Sequence, residues 1–305
     1  GLEGSIRRVL GVDYKQLSDL WKDHINRTFL PEVTSRQRAG DIARPMLTES
    51  RSQGTLHLAP ALSPDGREVA YFSEKDFYFV DLYLADVESG KVKRRLVKSS
   101  YSSNYETFRF INSAGAWSPD GRWLLFRTGG VVGQAGGRDI VGIRPGVDTV
   151  PVPIVATPYD EEAIALSPDG RWLAYESNET GRTEVFLRSF PNTDSGKWQV
   201  SNDGGVAPLW ARNGRELFYL NAQGEMMATT VGSGAEPRLG APAMLFPLGN
   251  GIYMSSREYY TPFDVGADGR FIMARSVTPD SALDIPLVVV DNWFEELQQK
   301  MGRPQ

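Results

Sequence analysis

The sequence predicts an all-β protein, a β-propeller of five, or at most six, four-stranded blades, with an N-terminal α-helical extension and a short C-terminal helix. Three observations predict it. A five-residue turn motif recurs five times, each copy is followed by three consecutive apolar residues, and 31 glycines and 19 prolines are spread through the 305 residues. That spread of turn formers suits many short strands better than a few long helices. With 41% apolar, 11% aromatic and 23% charged residues, the composition excludes disorder and a coiled coil.

The copies of the motif are Ser63-Pro64-Asp65-Gly66-Arg67, Ser118-Pro119-Asp120-Gly121-Arg122, Ser167-Pro168-Asp169-Gly170-Arg171, Ala211-Arg212-Asn213-Gly214-Arg215 and Gly266-Ala267-Asp268-Gly269-Arg270. Pro presets a turn-compatible φ, Asp or Asn bonds back to nearby backbone, and Gly takes a positive φ, so each copy reads as a hairpin tip. Their glycines are 55, 49, 44 and 55 residues apart. The triplets 69–71, 124–126, 173–175, 217–219 and 272–274 do not alternate with polar residues, which implies sheets covered on both faces.

Second strand-like runs follow at 80–87, 139–144, 183–190, 225–231 and 285–290, and third runs at 92–97, 152–156, 198–201 and 243–248. With the strand leading into each tip, this makes about four strands per unit of roughly 50 residues, the count of a propeller blade. A sandwich would alternate more strictly and a solenoid would need distinct caps. The last unit lacks a clear outer strand, and 42–48 on the N-terminal side could supply it and close the ring. A sixth, degenerate blade would have to come from residues before 42 or from 127–138.

Residues 1–41 differ in kind. Asp13 is placed to cap a helix with Tyr14, Leu17, Trp21, Ile25 and Phe29 on one face, ending before Pro31. This helix would pack on the ring or serve as a docking helix. The propeller is expected over 42–298, with a helical stretch at 293–300 and a tail at 299–305.

A formal net charge of -5 offers no clustered positive charge for nucleic acid or anionic lipid. The absence of cysteine removes disulfides, thiolate nucleophiles and cysteine metal sites. The longest strongly apolar stretch, 285–290, is far too short to span a bilayer. The chain opens on Gly1 without a basic-apolar leader, so a mature form is expected, with any export signal upstream.

Catalytic signatures are sparse, and no cofactor or metal is expected. There is no Gly-x-Ser-x-Gly elbow, no His-Glu-x-x-His pair, and only two histidines, His24 and His57. Asp160-Glu161-Glu162 is the tightest acidic cluster; it reads first as a solvated loop before an inner strand, and second as the acids of a propeller glycosidase. The glycine-rich 129–137 lacks the Lys-Ser/Thr ending of a phosphate loop and reads as a connection. Trp117, Trp123, Trp172, Trp198 and Trp210 recur beside tips or on strands and read as packing between blades.

Residues just before each inner strand should converge on one mouth of the ring. That set is His57, Arg109, Glu161, Glu162, Val206, Arg257, Glu258 and Tyr259, mixed in charge and suited to a protein loop or peptide.

The Ser-Pro-Asp-Gly-Arg tips with their apolar triplets, together with Asp81-Leu82-Tyr83-Leu84-Ala85-Asp86, resemble the TolB-like (WD40-like, PD40) family of bacterial propeller repeats over roughly 43–297. The resemblance implies an exported, periplasmic or cell-surface module that binds or scaffolds other proteins, without catalysis, as an accessory domain of a larger protein. Residues 1–126, with His57-Leu58-Ala59-Pro60-Ala61, are similar to peptidase-associated propellers. Residues from 138 onward, with Arg188-Ser189-Phe190-Pro191 and Asn292-Trp293-Phe294-Glu295, are similar to kinase-associated ones. A recombined or engineered junction within 129–137 is one explanation, and a propeller with no ligand at all is another reading. The enzymatic alternative is a carbohydrate-active hydrolase or lyase using channel carboxylates.

Overall fold

Each copy of the turn motif is a hairpin tip in the structure, a computed structural model that describes residues 7–34, 43–75, 80–98, 115–128, 137–249 and 261–273. In the third tip Ser167 Oγ donates to Asp169 Oδ1 (2.6 Å) and accepts from Trp172 N (2.9 Å), while Asp169 Oδ1 also accepts from Arg171 N (3.1 Å). Gly170, at φ +70°, turns the chain and donates to Ser167 O. Few L-residues adopt that φ without strain, which fixes glycine there. The first two tips repeat these bonds; the fourth keeps the glycine bond, Gly214 N to Ala211 O, but of the side-chain bonds only that from Arg215 N to Asn213 Oδ1, because Ala211 has no hydroxyl.

The strands on either side of the tips build antiparallel sheets in simple meander order. They are β1 (Leu58–Leu62), β2 (Glu68–Ser73), β3 (Asp81–Asp86) and β4 (Val92–Val97); β5 (Ala116–Trp117), β6 (Leu124–Arg127), β7 (Ile140–Ile143) and β8 (Val152–Val155); β9 (Glu161–Leu166), β10 (Trp172–Ser177), β11 (Glu184–Ser189) and β12 (Lys197–Gln199); β13 (Val206–Trp210), β14 (Glu216–Leu220), β15 (Glu225–Thr230) and β16 (Ala243–Pro247); and the pair β17 (Phe263–Val265) and β18 (Phe271–Met273). The strand expected at 285–290 and the helix expected at 293–300 lie outside the described residues.

Consecutive sheets stack face to face, as the unbroken apolar triplets require. Phe72 and Leu84 of the first blade pack on Leu124 and Phe126 of the second. Leu125 and Ile140 meet Leu173 and Tyr175 of the third, Ala174 and Leu187 meet Leu217 and Tyr219 of the fourth, and Phe218 and Leu220 meet Phe263 and Val265 of the fifth. On the second strand of the first four blades, then, positions four and six residues after the tip glycine face the next blade, and in the second to fourth blades positions three and five face the previous one. This is a β-propeller. In the fifth blade Phe271 and Met273 pack on the fourth, and Ile272 between them is 70% exposed; Ala274, the last residue of that triplet, lies outside the described residues.

Two tryptophans tie neighbouring inner strands, and two more meet within the third blade. Trp117 Nε1 donates to Ala61 O and Trp210 Nε1 to Ala165 O, both at 3.1 Å, and Trp172 meets Trp198 edge to face. The tips also touch in sequence: an added Cβ on Gly170 would lie 3.6 Å from Pro119 Cδ, and one on Gly214 3.5 Å from Pro168 Cδ.

The chain divides into two units, one of them Met46–Val277, which holds all the described strands. Outside it, helix α1 (Tyr14–Thr34) starts at a reciprocal cap in which Gln16 N donates to Asp13 Oδ1 (2.8 Å) and Asp13 N to Gln16 Oε1 (3.0 Å). It does not stop before Pro31 but runs three residues past it, a proline costing a helix one backbone bond and some strain without always ending it. Leu20 and Trp21 on this helix are exposed. Residues 7–34 form no sixth blade, and 129–136 fall outside the described residues.

Candidate functional site

The mouth end of the blades is where the inner strands begin. At that end β1, β9 and β13 each break register, and each break contains an alanine in the left-handed region: Ala59 (φ 46°), Ala163 (φ 53°) and Ala207 (φ 56°). These bulges re-aim the neighbouring side chains and backbone groups. Each alanine precedes the first residue of its tip by four positions, as Ala114 does in the second unit. That spacing was the available sequence signal for the bulges, and the apolar pattern hid it.

The residue after the second strand clasps the incoming chain. Glu74 Oε1 accepts from Leu56 N (2.7 Å) and Thr55 N (2.9 Å), and Asn178 Oδ1 accepts from Asp160 N (3.0 Å) at the same repeat position.

A line of ionic groups runs from the second blade through the third and ends on a backbone amide of the fourth. Arg127, at the end of β6 and 3% exposed, places NH1 3.5 Å from Glu162 Oε1 on β9. The same oxygen accepts from Arg138 at 2.8 Å, and Arg138 also reaches Asp160 at 3.5 Å. Glu162 is paired in register with Glu176 on β10, whose Oε1 accepts from Ala207 N on β13 at 2.6 Å. Glu161, fully buried, accepts from Thr157 Oγ1 and Thr157 N. Nearby Glu184 accepts from Arg182 (2.6 Å), Gly204 N (3.0 Å) and Ser201 Oγ.

Burial dominates the acidities. Desolvation pushes Glu161 up to about 7, the Thr157 bonds opposing it and Asp139 and Glu179 adding to it. Desolvation likewise lifts Glu176 to about 7 against the Ala207 bond, with Glu162 raising and Arg127 lowering it. Glu162 is raised by desolvation despite both arginines, and Asp139 by desolvation and then Asp160.

The acidic cluster is therefore not the solvated loop it first suggests. Glu161 and Glu162 begin strand β9 and are 0% and 9% exposed, because their side chains brace the blades instead of facing water. His57 is half-buried before β1, its Nε2 2.5 Å from Ser52 Oγ at the end of the short helix α2 (Glu49–Ser52) and its ring 5.5 Å from that of Tyr71. Val206 is 37% and Tyr159 43% exposed at the same end. Arg109, Arg257, Glu258 and Tyr259 lie outside the described residues. Sequence reasoning missed Arg127, Arg138 and Glu176. Two of the three stand in or beside apolar strand runs, and no short motif marks them.

Among the described residues no group of three or more His, Asp or Glu side chains is arranged to hold a metal ion. None of the described helices is long and apolar enough to cross a membrane. At the opposite end, two clefts separate neighbouring tips. One, of about 450 Å³, lies between the first two and includes Pro64, Glu68 and Trp117; the other, of about 430 Å³, lies between the second and third and includes Pro119, Trp123 and Phe190.

The sequence matches no protein-family model and no curated protein. The structure is similar to that of TolB from Acinetobacter baumannii, at 18% identity and a TM-score of 0.46, over 63% of this chain and 44% of that one. A structure assigned as TolB from Agrobacterium tumefaciens matches at 18% identity and 0.46, over 64% and 68%. A prolyl endopeptidase matches at 14% and 0.45, over 69% and 30%. The chain thus spans less than half the length of the Acinetobacter protein. Each is a likeness of fold alone.

Proposed function

We propose that the chain is a non-catalytic protein-binding module, an accessory, extracytoplasmic propeller that receives a loop or peptide of a partner at the mouth end. The observation that supports this reading is the engagement of the mouth carboxylates with internal partners. Glu74, Glu161, Glu162, Glu176 and Glu184 each accept from backbone amides, hydroxyls or arginines of their own or an adjoining blade. A glycosidase needs one carboxyl free to protonate a leaving group and another aimed at the sugar. Here the carboxyls hold the rim, and exposed Tyr159 and Val206 lie at the surface above them. His57, Arg109, Arg257, Glu258 and Tyr259 complete the proposed contact set.

The enzymatic alternative draws on Glu161 and Glu176, since carboxyls near 7 suit general acid catalysis. One experiment separates the two. A photo-crosslinking residue replaces Val206 at the mouth or Leu62, 57% exposed at the tip end. The proposal expects capture of one defined polypeptide from the mouth position only. Capture at Leu62 alone, or turnover of a glycoside panel abolished by Glu176→Gln, overturns it.

A further inference from the structure

The ionic line across blades two to four is not demanded by the architecture, because the same protein fills the equivalent positions with hydrocarbon elsewhere. Six residues after the tip glycine stand Phe72, Arg127, Glu176 and Leu220 in blades one to four. Phe72 and Leu220 are 1% and 2% exposed and pack on the next blade. Eight residues before the tip glycine stand Leu58, Glu162 and Val206 in blades one, three and four. Charge at such positions carries a desolvation cost that an apolar side chain avoids, so its presence calls for a role other than packing.

We propose that Glu176 is a pH-responsive latch between the third and fourth blades, releasing the bulge of β13 when it ionises. Its carboxyl joins the blades through one bond, to the amide of Ala207, and Ala207 is held in a left-handed conformation that is strained for a non-glycine residue. The groups that face Glu176 are Glu162 from β9, Arg127 from β6 and the Ala207 amide from β13. Around them stand Arg138, Asp160, Asp139, Glu161 and Glu179. Burial, the largest influence, and Glu162 disfavour the ionised form, while the amide and Arg127 favour it. A neutral carboxyl stays in place with its carbonyl oxygen on the amide. An ionised one gains by turning toward water, and the bulge loses the bond that holds it. The inference does not depend on any partner binding at the mouth.

Hydrogen exchange at the Ala207 amide tests it, read at pH 6.0 and 8.5 after correction for the intrinsic pH dependence of exchange. The amide of Ala59, the equivalent bulge in the first blade, serves as the reference. In the wild-type protein, protection at Ala207 is expected to fall roughly tenfold between the two conditions while Ala59 holds, since the unfavourable charge drives local opening. In Glu176→Gln, which keeps an acceptor oxygen and cannot ionise, Ala207 protection is expected to stay level. Equal wild-type protection at both pH values overturns the proposal without need of the variant, as does an undiminished fall in Glu176→Gln.

Discussion

Glu176 and Ala207 belong to different blades, and the 2.6 Å bond from the Ala207 amide to Glu176 Oε1 joins the second strand of one to the inner strand of the next. It is one link in a line that starts at Arg127 and passes through Glu162. Apolar packing seals the same junction position between the first and second blades, where Phe72 contacts Phe126 edge to face. The fold therefore uses two chemistries for one geometric task, and their responses to pH differ.

The first prediction is a stability profile. Glu161 and Glu176 both have folded-state values of about 7 against an ordinary 4.5. Between those values the folded protein retains protons that the unfolded chain has released, so stability is highest below the window, falls as pH rises through it and levels off above about 7. The loss is on the order of 3 kcal/mol for each group, roughly twice that for the two together. Urea unfolding at pH 5, 6, 7 and 8 measures it; flat or rising stability would contradict the burial of these groups.

Tip chemistry gives the second. Ser167→Ala removes the acceptor for Trp172 N and the donor to Asp169, at a cost of roughly 1 kcal/mol. The fourth tip lacks that hydroxyl, so Ala211→Ser should run the other way, gaining about 0.5 kcal/mol by offering Glu216 N an acceptor and Asn213 a donor. Opposite signs in denaturant midpoint are expected. Two losses would mean that the fourth tip cannot take the bond network of the other three.

A third concerns the bulges. Ala174, 0% exposed in a regular strand, and Ala163, 6% exposed at φ 53°, are both buried methyl groups. Replacing either by glycine loses a similar contact, but at Ala163 it also relieves left-handed strain of about 1 kcal/mol. Ala174→Gly is therefore expected to destabilise by roughly 1 kcal/mol more than Ala163→Gly. Equal losses would show that the bulge alanine is not strained.

The blades were legible because turn chemistry is local: Asp169 and Gly170 do the same work in any tip of this kind, and the triplet 173–175 needs two covered faces wherever it stands. Strand β4 coincides with the run expected at 92–97. The mouth was less legible because its partners are distant in sequence. Glu176 follows Tyr175 in an apolar strand, and nothing near it announces that its acceptor oxygen meets Ala207 thirty-one residues on. Burial of Glu162 escaped for a similar reason, since Arg127 and Arg138 of the second blade satisfy it only once the blades have stacked, whereas Glu161 finds Thr157 close by in its own loop. Pro31 misled in the opposite direction, a local rule yielding to a helix that continues through it.

The most direct measurement replaces the ionic line with the kind of side chain the other blades use: Arg127→Leu, Glu162→Leu and Glu176→Gln together, the glutamine keeping an acceptor for Ala207. The account predicts a folded propeller at least as stable as wild type at pH 8, with the fall in stability across neutrality cut to what Glu161 alone supplies. A variant that fails to fold, or one that keeps the full wild-type pH profile, would contradict it.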